Sequence, residues 1–185
     1  MTTSARSESE NGPTAGGPDL GLGELPDRDL DRGELVDLVR RVGDRTVLWR
    51  GKVAFDDEQR HYVCLHRDSH LDLWVLCWTP ANDTGWHDHD TSSGAVAVVA
   101  GSLLEQNLAV GSANLSRQVG AGSVFDFGPD HIHRVSGLAP GSVSIHAYSP
   151  PLWRLGQYTV DESGALRRTS VSYAEELRPV GEPAV

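Results

Sequence analysis

Gly85-Trp86-His87-Asp88-His89-Asp90-Thr91-Ser92-Ser93-Gly94 carries two histidines one residue apart. Extended backbone puts side chains two apart on one face. His87 and His89 therefore project together, roughly 7 Å apart along the strand. Two imidazoles on one face converge on a divalent metal once a third ligand arrives from elsewhere. An isolated His-x-His in a polar turn is as readily a pair of surface histidines. A second cluster, Pro129-Asp130-His131-Ile132-His133-Arg134, and the strand-like sequence between the two tip the reading to metal. His131 and His133 share parity, and spacing alone does not choose between them. The one that does not bind would orient a ligand through its ring N–H or lie at the rim.

Outward from the histidines the chain reads as short strands. Segments 61–67, 71–79, 95–99, 103–108, 123–127 and 143–149 are rich in apolar or alternating residues and are bounded by Gly, Pro, Asp or Asn. Short strands at this spacing, with no long helix between them, predict an all-β fold: a small antiparallel barrel or jelly roll. Its mouth would be lined by inward-facing side chains. One helix is expected ahead of it. Asp31 followed by Glu34 is a helix start, Leu35, Leu38, Val39 and Val42 form one apolar face, and Gly43 is a stop. After Pro150-Pro151, segments 157–160 and 167–171 flank the turn Asp161-Glu162-Ser163-Gly164 as a last hairpin, followed by a helical or irregular stretch at 173–177.

Residues 1–25 hold almost no large apolar side chain and are expected to be a disordered tail. The remainder is expected as one domain over 26–178 with a C-terminal tail at 179–185. A chain of 185 residues suits one core and not two. Its net charge of −10 argues against nucleic acid and anionic membranes as partners. The N-terminus has no secretory core, which predicts a cytoplasmic protein with Cys64 and Cys77 as reduced thiols. A monomer is expected. Trp74 and Trp78, in an apolar strand, are expected in the core rather than as a substrate platform.

Gly85, His87-x-His89 and the strand closing at Gly101 resemble the first sequence motif of the cupin superfamily, except that Gly94 stands where that motif places a glutamate. Gly122 to Pro129 and the histidine beyond it resemble the second. A narrower resemblance lies in the ordered set Cys77-Trp78, His87-Asp88-His89, His133-Arg134-Val135 and Ser144-Ile145-His146-Ala147-Tyr148-Ser149-Pro150-Pro151, which looks like the cysteine dioxygenase family from about Tyr62 to Trp153. The resemblance implies a mononuclear non-haem Fe(II) site held by His87, His89 and His133. It also implies a small thiol and O2 as substrates and a sulfinate as product. Three neutral ligands leave positive charge to stabilise a thiolate. The spacing of Ser144, His146 and Tyr148 places three polar groups on one strand face. The resemblance puts the Tyr148 hydroxyl beside the iron, oriented by His146, with His146 oriented by Ser144.

Two departures matter. Animal members carry a cysteine where this chain has Gly94, so no thioether crosslink to Tyr148 forms here, as in many bacterial members. In addition, the family's carboxylate-binding arginine follows a tyrosine matching Tyr62, and Cys64 occupies its position. A thiol cannot make the bidentate pair that a guanidinium makes with a carboxylate. Arg60 shares parity with Tyr62 and Cys64 and is the first candidate to replace it. Arg67 has opposite parity and faces the cavity only if a bulge intervenes. Tyr62, Cys64 and Arg60 are thus the expected substrate contacts.

The leading expectation is oxidation of L-cysteine to cysteine sulfinic acid. The alternatives are a dioxygenase of another small thiol, 3-mercaptopropionate or cysteamine, and a metal-binding cupin sensor without turnover. Three imidazoles would also accept zinc, nickel or copper, so iron follows from the resemblance alone.

Overall fold

Leu35, Leu38, Val39 and Val42 are all buried on one side of a helix, α1 (Arg32–Asp44). The structure, a computed structural model, describes residues 21, 23–109, 113–160 and 165–172. Most of the expected N-terminal tail, the turn at 161–164 and everything expected beyond 172 lie outside the described residues. Asp31 caps α1 as expected: its side chain accepts from the Glu34 amide, and the Glu34 side chain accepts from the Asp31 amide. The helix continues one residue past Gly43. A Cβ on Gly43 would meet Val99 Cγ1 at 3.0 Å. This glycine lets the helix approach the sheet closely; it is not the stop the sequence suggested.

Eleven strands follow among the described residues: β1 (Tyr62–Arg67), β2 (Asp72–Trp78), β3 (Trp86–Asp88), β4 (Ser93–Ala100), β5 (Ser102–Asn107), β6 (Leu115–Gly120), β7 (Val124–Phe127), β8 (His133–Gly137), β9 (Ser142–Ser149), β10 (Arg154–Val160) and β11 (Leu166–Ser172). They form two antiparallel sheets, ordered β1-β2-β9-β4-β7 and β11-β10-β3-β8-β5-β6. This is the all-β, cupin-type architecture with one N-terminal helix.

The alternation of β9 shows how one sequence serves two cores. All eight of its residues are buried. Val143, Ile145 and Ala147 face outward onto α1, together with Leu73, Val75 and Cys77 of β2 and Ala95 and Ala97 of β4. The alternate residues, among them Tyr148, face the space between the sheets with Leu76, Trp78, Val96 and Phe127. The helix therefore covers the outer face of the five-stranded sheet. Each fully buried leucine or valine of α1 contributes about 1.5–3 kcal/mol by leaving water. That frees the inner face of β9 to carry polar groups.

The register of β1 on β2 slips between Cys64 and His66, a bulge in an otherwise regular ladder. Downstream of it Arg67 pairs with Asp72, which in turn lies opposite Tyr148. The bulge is the condition under which Arg67 joins the inward-facing set.

Candidate metal and thiol site

Strand pairing brings the histidine clusters together. His87 on β3 lies directly opposite His133 on β8, and His89 follows at the end of β3. The ring centroids of His87, His89 and His133 lie 4.7–5.0 Å apart. All three are buried, and their ligand nitrogens lie within 4.8 Å of one another.

Hydrogen bonds to the surroundings fix the orientation of two of the rings. His87 Nδ1 lies 3.1 Å from the Gly85 carbonyl, and His133 Nδ1 lies 3.1 Å from Glu105 Oε1. A carbonyl and a carboxylate only accept, so each Nδ1 carries the proton and each Nε2 lone pair is left for a metal. His89 is different. Both of its ring nitrogens are buried with no hydrogen-bond partner. A buried imidazole orphaned at both nitrogens is costly, and an ion on its lone-pair nitrogen would offset part of that cost. Burial and the neighbouring His87 and His133 hold its pKa well below the ordinary value, and burial likewise lowers His133 to about 3. Neutral, converging imidazoles fit a divalent metal.

Glu105 was not foreseen. It is 1 % exposed and is reached by His133, by His131 Nε2 at 3.4 Å and by Arg117. Burial works to raise its pKa, but these partners outweigh it and hold the carboxyl well below its usual range. Its own signal lay in β5, where Leu103 and Glu105 share the inward parity. Glu105, His131 and His133 form a second cluster of possible metal ligands, but the oxygens of Glu105 are taken by Arg117 and the two histidines. That arrangement makes Glu105 a support for His133.

The polar face of β9 forms a chain. Trp78 Nε1 donates to Ser144 Oγ at 2.8 Å, Ser144 Oγ lies 2.8 Å from His146 Nε2, and His146 Nδ1 lies 3.1 Å from the Tyr148 hydroxyl. Burial, then Arg60, keeps His146 far below its ordinary pKa. Tyr148 lies against His89, with ring centroids 5.4 Å apart. One cavity is lined by His87, His133, His146 and Tyr148 together with Arg60 and Tyr62. Trp74 and Trp78 line it too, so these tryptophans form the cavity wall as well as core. Trp78 also lies under the Arg60 guanidinium, 4.8 Å from its centroid.

The structure does not bring Cys64 to this cavity. Cys64 lies opposite Trp74, is exposed, and its thiol donates to the His66 carbonyl at 3.4 Å. Arg67 is held against buried Asp72, Nε to Oδ1 3.0 Å, and against the Trp153 ring. Asp72 also accepts from the Leu152 amide at 2.9 Å, and burial raises its pKa to about 6 against the pull of Arg67. Among the lining residues, Arg60 is the one arginine or lysine. Asp88, between His87 and His89 in sequence, binds Arg168 and Tyr158.

The cysteine dioxygenase type I family matches residues 27–161. The chain belongs to the cysteine dioxygenase type I family. The family is one of thiol dioxygenases that depend on non-haem iron, and the described histidines of this chain form a possible metal site. Curated protein sequences give no match. Solved structures similar to this chain include KdgF from Halomonas sp., 18 % identical over 50 % of this chain and 82 % of that one, TM-score 0.45. A double-stranded β-helix protein from Klebsiella pneumoniae is 12 % identical over 64 % and 91 %, TM-score 0.48. An RmlC-like cupin from Desulfovibrio desulfuricans is 17 % identical over 54 % and 90 %, TM-score 0.44. No helix among the described residues is long and apolar enough to cross a membrane.

Proposed function

We propose that the protein is an Fe(II)-dependent thiol dioxygenase that oxidises a small thiol bearing a carboxylate, L-cysteine first, to its sulfinic acid, acting as a monomer in the cytoplasm. The observation that carries this reading is one cavity lined by His87, His133, Tyr148 and Arg60, with buried His89 completing the three-imidazole cluster at its wall. The reaction adds both atoms of O2 to sulfur, RSH + O2 giving RSO2H, and needs no external reductant. Iron held by His87, His89 and His133 would supply the redox chemistry that joins O2 to a thiolate.

The residues supply position and protons. Trp78 only donates, so Ser144 Oγ accepts from it and turns its own hydrogen to His146 Nε2. The single proton of neutral His146 then sits on Nδ1 and is donated to Tyr148 Oη. In this reading the Tyr148 hydroxyl, accepting from His146, donates its phenolic hydrogen to the reacting oxygen or the substrate. Arg60, braced on the Trp78 face, meets the carboxylate. This role for Arg60 favours L-cysteine and 3-mercaptopropionate over cysteamine, which has no carboxylate to anchor. Tyr62, edge-on to Trp74 at 6.0 Å, shapes the same wall. Cys64, outside the lining, leaves the substrate pocket in this reading.

The test is product analysis under isotopically labelled dioxygen with the iron-loaded protein and L-cysteine. Cysteine sulfinate carrying both labelled atoms supports the proposal. Cystine or unlabelled product overturns it. The sensor alternative predicts metal and thiol binding with no oxidised product.

A further inference from the structure

His87 and His133 are each aimed by a hydrogen bond, but neither nitrogen of His89 has a protein partner. An imidazole with no hydrogen-bonded nitrogen needs something else to set its plane. That something is Phe127, at the end of β7. Its ring stacks on His89 with centroids 4.3 Å apart and planes 22° apart. The same ring is nearly parallel to that of His131, with centroids 5.7 Å apart and planes 11° apart. His131 is in turn tied to Glu105. Phe127 thus links His89 to a histidine held by a buried carboxylate.

We propose that Phe127 is a positioning residue for His89, and that Gly94 is a glycine because this ring occupies the space a side chain there would fill. A Cβ built on Gly94 would overlap the edge of the Phe127 ring at Cε2 and Cζ and lie 3.1 Å from Tyr148 Cδ1. Gly94 and Phe127 face one another in the β4–β7 ladder, so the two positions are coupled. Stacking confines ring tilt where hydrogen bonding cannot. A fixed His89 plane keeps its Nε2 or Nδ1 lone pair pointed at the other two ligands. His131, left open between ligand and rim by its spacing, becomes part of this support.

The inference rests on the metal-site reading of His87, His89 and His133, so its test measures cobalt(II) binding to the iron-free protein and leaves turnover aside. Affinity comes from chelator competition, and ligand geometry from the visible spectrum of the bound ion. Phe127→Leu is expected to weaken cobalt binding about tenfold or more and to change the spectrum. Gly94→Ala, which displaces the ring, is expected to do the same, and the double variant to be no weaker than either single one. Val119→Ala, in the same interior core on β6, controls for lost packing: its thermal midpoint falls while its cobalt affinity and spectrum stay as in the parent. The Gly94→Ala arm reads the same question should Phe127→Leu fold poorly.

Cobalt affinity within about twofold of the parent for either single variant, with an unchanged spectrum, overturns the positioning role. So does a double variant restored to parental affinity, since it lacks the ring. A parent protein that binds no cobalt overturns this proposal and the metal-site reading together. A parent that binds it with the variants unaffected overturns this proposal alone.

Discussion

Tyr148 stands at the end of a chain that begins at Trp78 and reaches the metal pocket through Ser144 and His146. Removing the hydroxyl leaves the ring packed against His89 and removes the group that addresses the substrate together with the acceptor for His146 Nδ1. Tyr148→Phe is expected to lower kcat about 100-fold, the scale of one positioned proton donor, with cobalt affinity unchanged. Unchanged turnover would remove Tyr148 from the chemistry. Arg60 gives a different signature. A charge-assisted hydrogen bond to a carboxylate contributes about 1.5–3 kcal/mol, so Arg60→Ala is expected to raise KM for L-cysteine about tenfold or more while leaving cysteamine oxidation as it was. An equal loss with both thiols would show that Arg60 supports the fold or His146 and does not read the carboxylate.

At the scale of elements, the site is a product of strand pairing. β3 and β8 set His87 against His133, β5 delivers Glu105 behind His133, and β9 presents the relay because α1 covers its other face. Glu105→Gln keeps a hydrogen-bond acceptor for His133 but loses the charge. It is expected to weaken metal binding about tenfold, and Glu105→Ala about 100-fold, both read by chelator competition. Equal affinities in all three proteins would contradict the support role. Much of this layout was legible in the sequence. The pairs His87/His89 and Ser144/His146/Tyr148 obey the two-residue period, and the helix carries its cap in Asp31 and Glu34. What parity could not show was anything decided across strands. Gly43 reads as a stop but serves a close approach to Val99. The bulge after Cys64 sets Arg67 opposite Asp72, and Cys64, on the edge strand β1, is exposed. β6, exposed along most of its length, lacks the apolar pattern that marks a strand. Glu105 and Phe127 act on histidines distant in sequence, which no local spacing encodes.

For the whole molecule, keeping His89, His133 and His146 neutral links stability to pH. Their folded pKa values are lowered, His133 to about 3. Above about pH 6.5 the imidazoles are neutral in both states and nothing is lost. Below it the unfolded chain takes up protons that the folded chain refuses, and stability falls until the folded pKa is passed. At pH 5 His133, held at about 3, removes about 2 kcal/mol, and His89 and His146 act in the same direction. Asp72, raised to about 6, works the other way and returns only about 1 kcal/mol over the same range. The histidines win. The urea midpoint of the iron-free protein is therefore expected to drop between pH 7.5 and pH 5, and a constant midpoint would contradict neutral burial.

The measurement closest to the central claim is O2 consumption by the iron-loaded protein with L-cysteine, 3-mercaptopropionate and cysteamine side by side. Iron-dependent uptake with the two carboxylate-bearing thiols, well above that with cysteamine, is the predicted result. No thiol-dependent uptake with any of the three would contradict a dioxygenase, and a preference for cysteamine would contradict the place given to Arg60.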